Sequence, residues 1–164
     1  MIDFSREATN EEIHAVLDKY PASQELEFPT TIHEHNLDKT CSKILYGLLR
    51  EYQPISVLEV GTSWGGSGRV IVQALVANQQ PFKYVGFEME EHMRKSTEEN
   101  IIPLSPDKVV IGGDIIKDFE KVPQTLDFVF WDTNWDLPIT IWFLKNIFPR
   151  IKMGGLIQIH DWSV

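Results

Sequence analysis

The chain has 164 residues, 43% of them hydrophobic, which is enough for one domain with a full core and too few for two. A net charge of −9 and a pI near 5.0 oppose a large electrostatic footprint on DNA or RNA, where affinity rests on basic contacts to phosphate. A single cysteine, Cys41, excludes an internal disulfide and fits a reducing compartment, and no stretch approaches the ~20 apolar residues of a membrane span.

The first predicted element is a helix over 5–20, with Ser5 or Thr9 as its cap, a one-sided stripe of Ile13, Val16 and Leu17, and Pro21 just beyond its end. The stretch 22–36, with Pro29 and many polar residues, reads as a loop. From Leu37 to Tyr52 apolar residues recur at 37, 41, 44, 45, 48 and 49, a helical period that Pro54 stops. Strands and helices then alternate: strand 56–60, helix 67–78, strand 83–88, helix 90–101, strand 108–112, a short helix near 115–121, strand 126–131, helix 138–148 and strand 154–160. Near-continuous apolar strands in such an alternation predict an α/β fold, a doubly wound, Rossmann-like and mostly parallel sheet with helices on both faces. Residues 1–54 are then a helical extension or cap beside the ligand cleft, and 55–164 the sheet-bearing part of one compact domain.

The run VLEVGTSWGGS carries the most chemistry. An apolar strand ends in Glu59 and opens into a loop with glycines at 61, 65, 66 and 68, which lets backbone approach a ligand closely. The dinucleotide fingerprint needs a second glycine two residues after the first, and that position is Ser63, so a pyrophosphate fits poorly. No G-K-[ST] of a P-loop is present. Glu59 is expected at the strand end, repelling a phosphate and attracting a cationic amine or sulfonium. A cofactor with an adenosine, no phosphate and positive charge at its other end is S-adenosylmethionine.

The other strands end in acids at the same edge, where open parallel sheets bind ligands. FKYVGFE ends in Glu88, suited to two ribose hydroxyls. KVVIGGD ends in Asp114, an acceptor for an adenine amino group, with Ile115 beside it to pack on the ring. LDFVFWD ends in Asp132, and GGLIQIHD in His160 and Asp161.

On these residues the chain resembles the class I S-adenosylmethionine-dependent methyltransferases over about residues 55–162. VLEVGTSWGGSG is similar to their first motif in the GT-x-x-GGS form of small-molecule O-methyltransferases and cephalosporin-hydroxylase-like relatives, and IKMGGLIQIHDW to their K-x-GG-x-x-x-x-D strand. WDTNWD departs from the D-G-D-H-x-Y pattern of the nearest of those families. The resemblance implies methyl transfer to a small molecule, at a hydroxyl of a sugar or secondary metabolite. Glu59, Gly61, Thr62, Ser63 and Gly65 would hold the methionine end, Glu88 the ribose, and Asp114 with Ile115 the adenine.

Two kinds of group could serve the acceptor. In the catechol-type enzymes the corresponding strand-end acids hold magnesium, which here implies Asp132 and Asp161, with Asp136 or water, although the third ligand of that type, an Asn, is replaced by Trp162. Alternatively His160 is a general base, its neutral form competent near pH 7, or simply a strand residue bonded within the fold. His33 and His35 form an H-x-H without companion ligands and read as surface or cleft-lining residues. Trp64, Trp131, Trp135 and Trp162 crowd the strand ends, either as an aromatic wall for the acceptor or as ordinary packing, the latter favoured for Trp131.

Two rival readings stand beside this one. An NAD-dependent oxidoreductase is opposed by Ser63 and by the 27 residues from Gly61 to Glu88, against about 20 in that fingerprint. A non-catalytic binding or assembly module with a methyltransferase fold is supported by WDTNWD. The segment MIDFSREATNEE is polar and acidic with no apolar run of signal-peptide length, so a cytoplasmic protein is expected, with a small-molecule substrate and neither nucleic acid nor membrane as partner. Class I methyltransferases usually close their sheet with two more strands, and the sequence ends at Val164. The expectation is an open LIQIHDW edge, in a piece of a longer protein or in a chain that pairs these edges as a homodimer.

Overall fold

The computed structural model describes residues 9–20, 37–133 and 136–160. Five strands, β1 (Ser56–Val60), β2 (Lys83–Phe87), β3 (Val109–Gly112), β4 (Leu126–Trp131) and β5 (Ile151–Ile159), form one sheet in the order β3-β2-β1-β4-β5. All four pairings are parallel. The helices are α1 (Asn10–Lys19), α2 (Lys39–Tyr52), α3 (Gly66–Ala77), α4 (Glu91–Ile101) and α5 (Leu137–Asn146). Chain order reverses between β1 and β4, which opens a crevice at the carboxyl ends of the strands.

Successive strand residues face opposite sides, so each strand feeds two cores. Val57, Tyr84, Phe128 and Phe130 pack with Leu45 and Leu49 of α2 and Val70, Ile71 and Leu75 of α3. Leu58, Val85, Phe87, Val129 and Trp131 pack on the other face with Phe143 and Ile147. Burial on both faces is why the strands are apolar throughout. Because α2 shares a core with α3 and the sheet, the described part of the N-terminal extension is packed into the fold.

Local chemistry sets the element ends. Of the two expected caps, Thr9 serves α1: its hydroxyl accepts the Glu12 N–H at 3.2 Å while the Glu12 carboxylate accepts the Thr9 N–H at 2.9 Å. Ser5 lies outside the described residues. Asp38 caps α2 by accepting the N–H groups of Thr40 and Cys41, so that helix starts at Lys39 and not at Leu37. The short helix expected near 115–121 is reduced to a 3₁₀ turn at Phe119–Lys121. Asp114 and Asp118 cause this, since their carboxylates accept the Ile116 and Gly113 N–H groups in a turn that competes with helix. Strand β5 begins three residues earlier than its apolar run suggested, with a register irregularity against β4 and Gly154 at φ 78°. Among the described residues β5 pairs only with β4, and no helix is long and apolar enough to cross a membrane.

Candidate active site

The loop after β1 is built by short-range backbone bonds. The N–H groups of Gly61 and Thr62 both donate to the carbonyl of Phe87, at 2.9 and 3.1 Å, which carries the chain across the end of β2. Gly61 has φ 86°, and a Cβ there would lie 1.7 Å from the carbonyl oxygen of Asp132, so only glycine allows the loop to touch β4. Ser63 is left-handed at φ 50° and donates its N–H to the Glu88 carboxylate at 2.8 Å. Thr97 of α4 donates its hydroxyl to the Ser63 carbonyl at 2.7 Å, and Gly65 caps α3.

Above this loop lies a cleft of about 270 Å³. Five of the residues singled out from the sequence line it: Gly61, Glu88, Asp114, Ile115 and Asp132. They are joined by Met89, Ile116, Thr133 and Ile139, which the sequence reading did not single out. Met89 and Ile116 each follow a strand-end acid by one or two residues, a signal available in the sequence; Ile139 arrives only because the first turn of α5 folds over the cleft. Glu88 accepts the Ser63 N–H through one oxygen and the Glu90 N–H at 2.9 Å through the other, which aims its carboxylate along the rim. Asp114 accepts the Ile116 N–H at 2.9 Å and lies 3.4 Å from the Lys117 ammonium.

Thr62, Ser63 and Gly65 are not among the residues that line this cleft, and neither is Glu59. Glu59, expected at the strand end where it could attract a cationic amine or sulfonium, lies beneath the loop. It is fully buried, and its carboxyl accepts the hydroxyls of Ser67 and Tyr84. Burial pushes its pKa up to about 7, against the two hydroxyl bonds, and the nearby Asp132 and Glu88 add to the rise.

On the acceptor side, Asp132 Oδ2 lies 3.4 Å from Nδ1 of His160. The β4–β5 register, with Trp131 opposite Ile159, brings these neighbours together, and the His160 N–H continues the ladder to the Trp131 carbonyl at 3.0 Å. The imidazole stacks on Phe130 with centroids 6.1 Å apart. Bonds from Cys41 and Thr40 hold the Asp38 carboxyl below its usual range, with a smaller contribution from His160, so the start of α2 stands near this pair. Asp136 is used as the cap of α5, accepting the Ile139 N–H at 3.0 Å. Trp131 is buried edge-on against Phe143 at 4.5 Å, a packing role, while Trp64 meets His92 edge-on at 5.4 Å.

Asp161, Trp162, Trp135, His33 and His35 lie outside the described residues. Among the described residues no group of three His, Cys, Asp or Glu side chains could hold a metal ion. The expected magnesium site would therefore need Asp161 beside Asp132.

The chain belongs to the methyltransferase-domain family, whose profile matches residues 58–162. Its fold is similar to that of the Podospora anserina methyltransferase PaMTH1, solved with S-adenosylhomocysteine, at TM-score 0.67 and 17% identity over 88% of this chain and 61% of that one. It is similar to the O-methyltransferase TomG of Streptomyces achromogenes, involved in tomaymycin synthesis and solved with S-adenosylmethionine, at TM-score 0.62 and 20% identity over 88% and 64%. An O-methyltransferase from Bacillus cereus in complex with S-adenosylhomocysteine aligns at TM-score 0.61 and 18% identity over 91% and 65%. At these identities the likeness is one of fold, and this chain spans somewhat less than two thirds of the length of each. No curated protein matches the sequence.

Proposed function

We propose that this chain is an S-adenosylmethionine-dependent methyltransferase acting on a hydroxyl of a small molecule, a sugar or secondary metabolite. The observation that carries the reading is the cleft at the strand ends that gathers Glu88, Asp114 and Asp132. The cofactor, when bound, supplies an electrophilic methyl on a sulfonium and leaves as a neutral thioether. Glu88 holds the ribose hydroxyls through charge-assisted bonds, its carboxylate already oriented by the Ser63 and Glu90 N–H groups. Asp114 takes the adenine amino group and Ile115 packs on the ring. The loop Gly61–Gly65 encloses the methionine end, with Thr62 and Ser63 fixing its shape and Glu59 supporting it from below.

Asp132 orients the acceptor and His160 moves its proton. With Nδ1 facing Asp132 at 3.4 Å, Nε2 is the ring atom left to take the acceptor's proton. A cytoplasmic location, a small-molecule partner, no nucleic acid, and pairing with a second copy through the outer edge of β5 complete the reading.

Calorimetric titration with S-adenosylmethionine, S-adenosylhomocysteine and NAD tests it. Binding of the first two and not the third is expected. Binding of NAD alone favours the oxidoreductase, and binding of none favours a non-catalytic module.

A further inference from the structure

Directly beneath the proposed methionine pocket lies a carboxyl group with no solvent contact. Glu59 is central in the sheet, opposite Gly86 of β2 and Phe130 of β4. Its oxygens accept the hydroxyls of Ser67, at the start of α3, and Tyr84 of β2. The space for this cluster is made by missing side chains: a Cβ on Gly68 would lie 2.9 Å from a Glu59 oxygen and 2.6 Å from the Tyr84 hydroxyl, and one on Gly86 would lie 2.8 Å from the same hydroxyl. Both hydroxyls donate to the carboxylate and favour its ionised form, and for the protonated carboxyl one of them turns to accept instead, so the cluster can serve both states by a hydroxyl rotation.

The charged groups acting on Glu59 are carboxylates. Asp132 at the end of β4 and Glu88 at the end of β2 both raise its affinity for a proton, in the same direction as burial. Both of them line the cleft. A positive charge placed between them acts on Glu59 with the opposite sign. Other titratable and charged groups at this end of the sheet are His160 beside Asp132, Asp114 with Lys117, Asp38 at the start of α2, and Arg94, which donates to the Glu88 carbonyl.

We propose that Glu59 is a specificity-determining positioning residue that selects the charge of the ligand: a cationic sulfonium in the cleft expels the Glu59 proton to solvent, and a neutral thioether does not. The inference rests on the cofactor reading above. The buried carboxylate thus favours the methyl donor over the demethylated product, which helps the product leave. S-Adenosylmethionine and S-adenosylhomocysteine differ only in the methyl on sulfur and the charge it brings, and the methyl does not titrate, so the pH dependence of the ratio of their dissociation constants reports the effect of that charge.

The experiment measures both constants by calorimetry on the intact chain from about pH 5.5 to about pH 8.5. The preference for S-adenosylmethionine is expected to rise with pH, by up to tenfold for each unit by which the cation lowers the Glu59 pKa, roughly 1.4 kcal/mol. Glu59→Gln should make the preference independent of pH, whereas His160→Gln should leave the rise in place. Should Glu59→Gln fail to fold, Tyr84→Phe provides the second test: losing a donor to the carboxylate moves the rise to higher pH. A preference that is flat in the natural chain, that keeps its rise in Glu59→Gln, or that loses it only in His160→Gln overturns the inference while leaving the cofactor reading intact. Failure of either ligand to bind at any pH overturns both.

Discussion

The carboxylate of Glu88 accepts the backbone N–H of Ser63 at 2.8 Å, so the end of β2 fixes the loop that leaves β1. One side chain is thereby both a rim of the cleft and a pin for the glycine loop. Ser63 holds a left-handed φ of 50° as part of the same contact, a conformation that costs about 1 kcal/mol or more outside glycine.

Glu88→Ala should weaken S-adenosylhomocysteine binding by about 2 to 3 kcal/mol, because two charge-assisted bonds to the ribose are lost. It should also lower the melting temperature slightly by releasing the Ser63 and Glu90 N–H groups to water. Calorimetry and thermal melts on the same sample separate the effects. An unchanged dissociation constant removes Glu88 from the binding site.

Asp132→Asn should abolish methyl transfer with little change in affinity for S-adenosylhomocysteine, which carries no charge on sulfur, since the proposed role is toward the acceptor and His160. Equal loss of both places Asp132 in the cofactor pocket instead. With His160 as the base, turnover should survive a chelator. Loss of activity that added magnesium restores would put an ion on Asp132 and require Asp161 or another ligand beside it.

Gly61→Ala combines an unfavourable φ of 86° with a contact of 1.7 Å to the Asp132 carbonyl oxygen. The loop must move off β4, at a cost above about 2 kcal/mol by strain alone. Denaturant unfolding checks the stability loss, and ligand binding should fall with it. A variant with the natural unfolding midpoint and affinity would show that the loop does not need this approach.

Two buried carboxyls should give the stability opposite responses to pH. Burial raises the Glu59 pKa from 4.5 to about 7, so the folded chain keeps a proton that the unfolded chain has released; stability is greatest below pH 4.5 for this group and declines as pH rises to 7. The full effect is on the order of 3 kcal/mol. For Asp127, burial opposes ionisation, but the Lys152 ammonium and the Ile55 and Ser56 N–H groups outweigh it and hold the carboxyl below its usual value of 3.8. Its contribution is present above that value and lost as pH falls through the depressed one. Unfolding midpoints measured across this range should lose their slope between pH 4.5 and 7 in Glu59→Gln, and should lose part of the acid limb in Asp127→Asn. A Glu59→Gln profile parallel to the natural one would show that Glu59 is ionised in the folded chain throughout.

By itself the sequence determined the alternation of strands and helices, the glycine loop after β1, and the acids that end the strands. These depend on signals within a few residues: apolar runs, a capping Asp or Thr, a glycine where φ must be positive. Glu88, Asp114 and Asp132 could be placed at one edge because parallel strands bring their carboxyl ends together whatever the helices do. Only the tertiary structure decided where Glu59 points. Its position on β1 was clear, but Tyr84 and Ser67 close over it from 25 and 8 residues away, and that is why its carboxyl is fully buried. The approach of Ile139 to the cleft and the pairing of Asp132 with His160 are likewise products of how α5 crosses the sheet and how β4 registers against β5. Such contacts join distant parts of the chain, and the local pattern of residues carries no record of the geometry that brings them within reach.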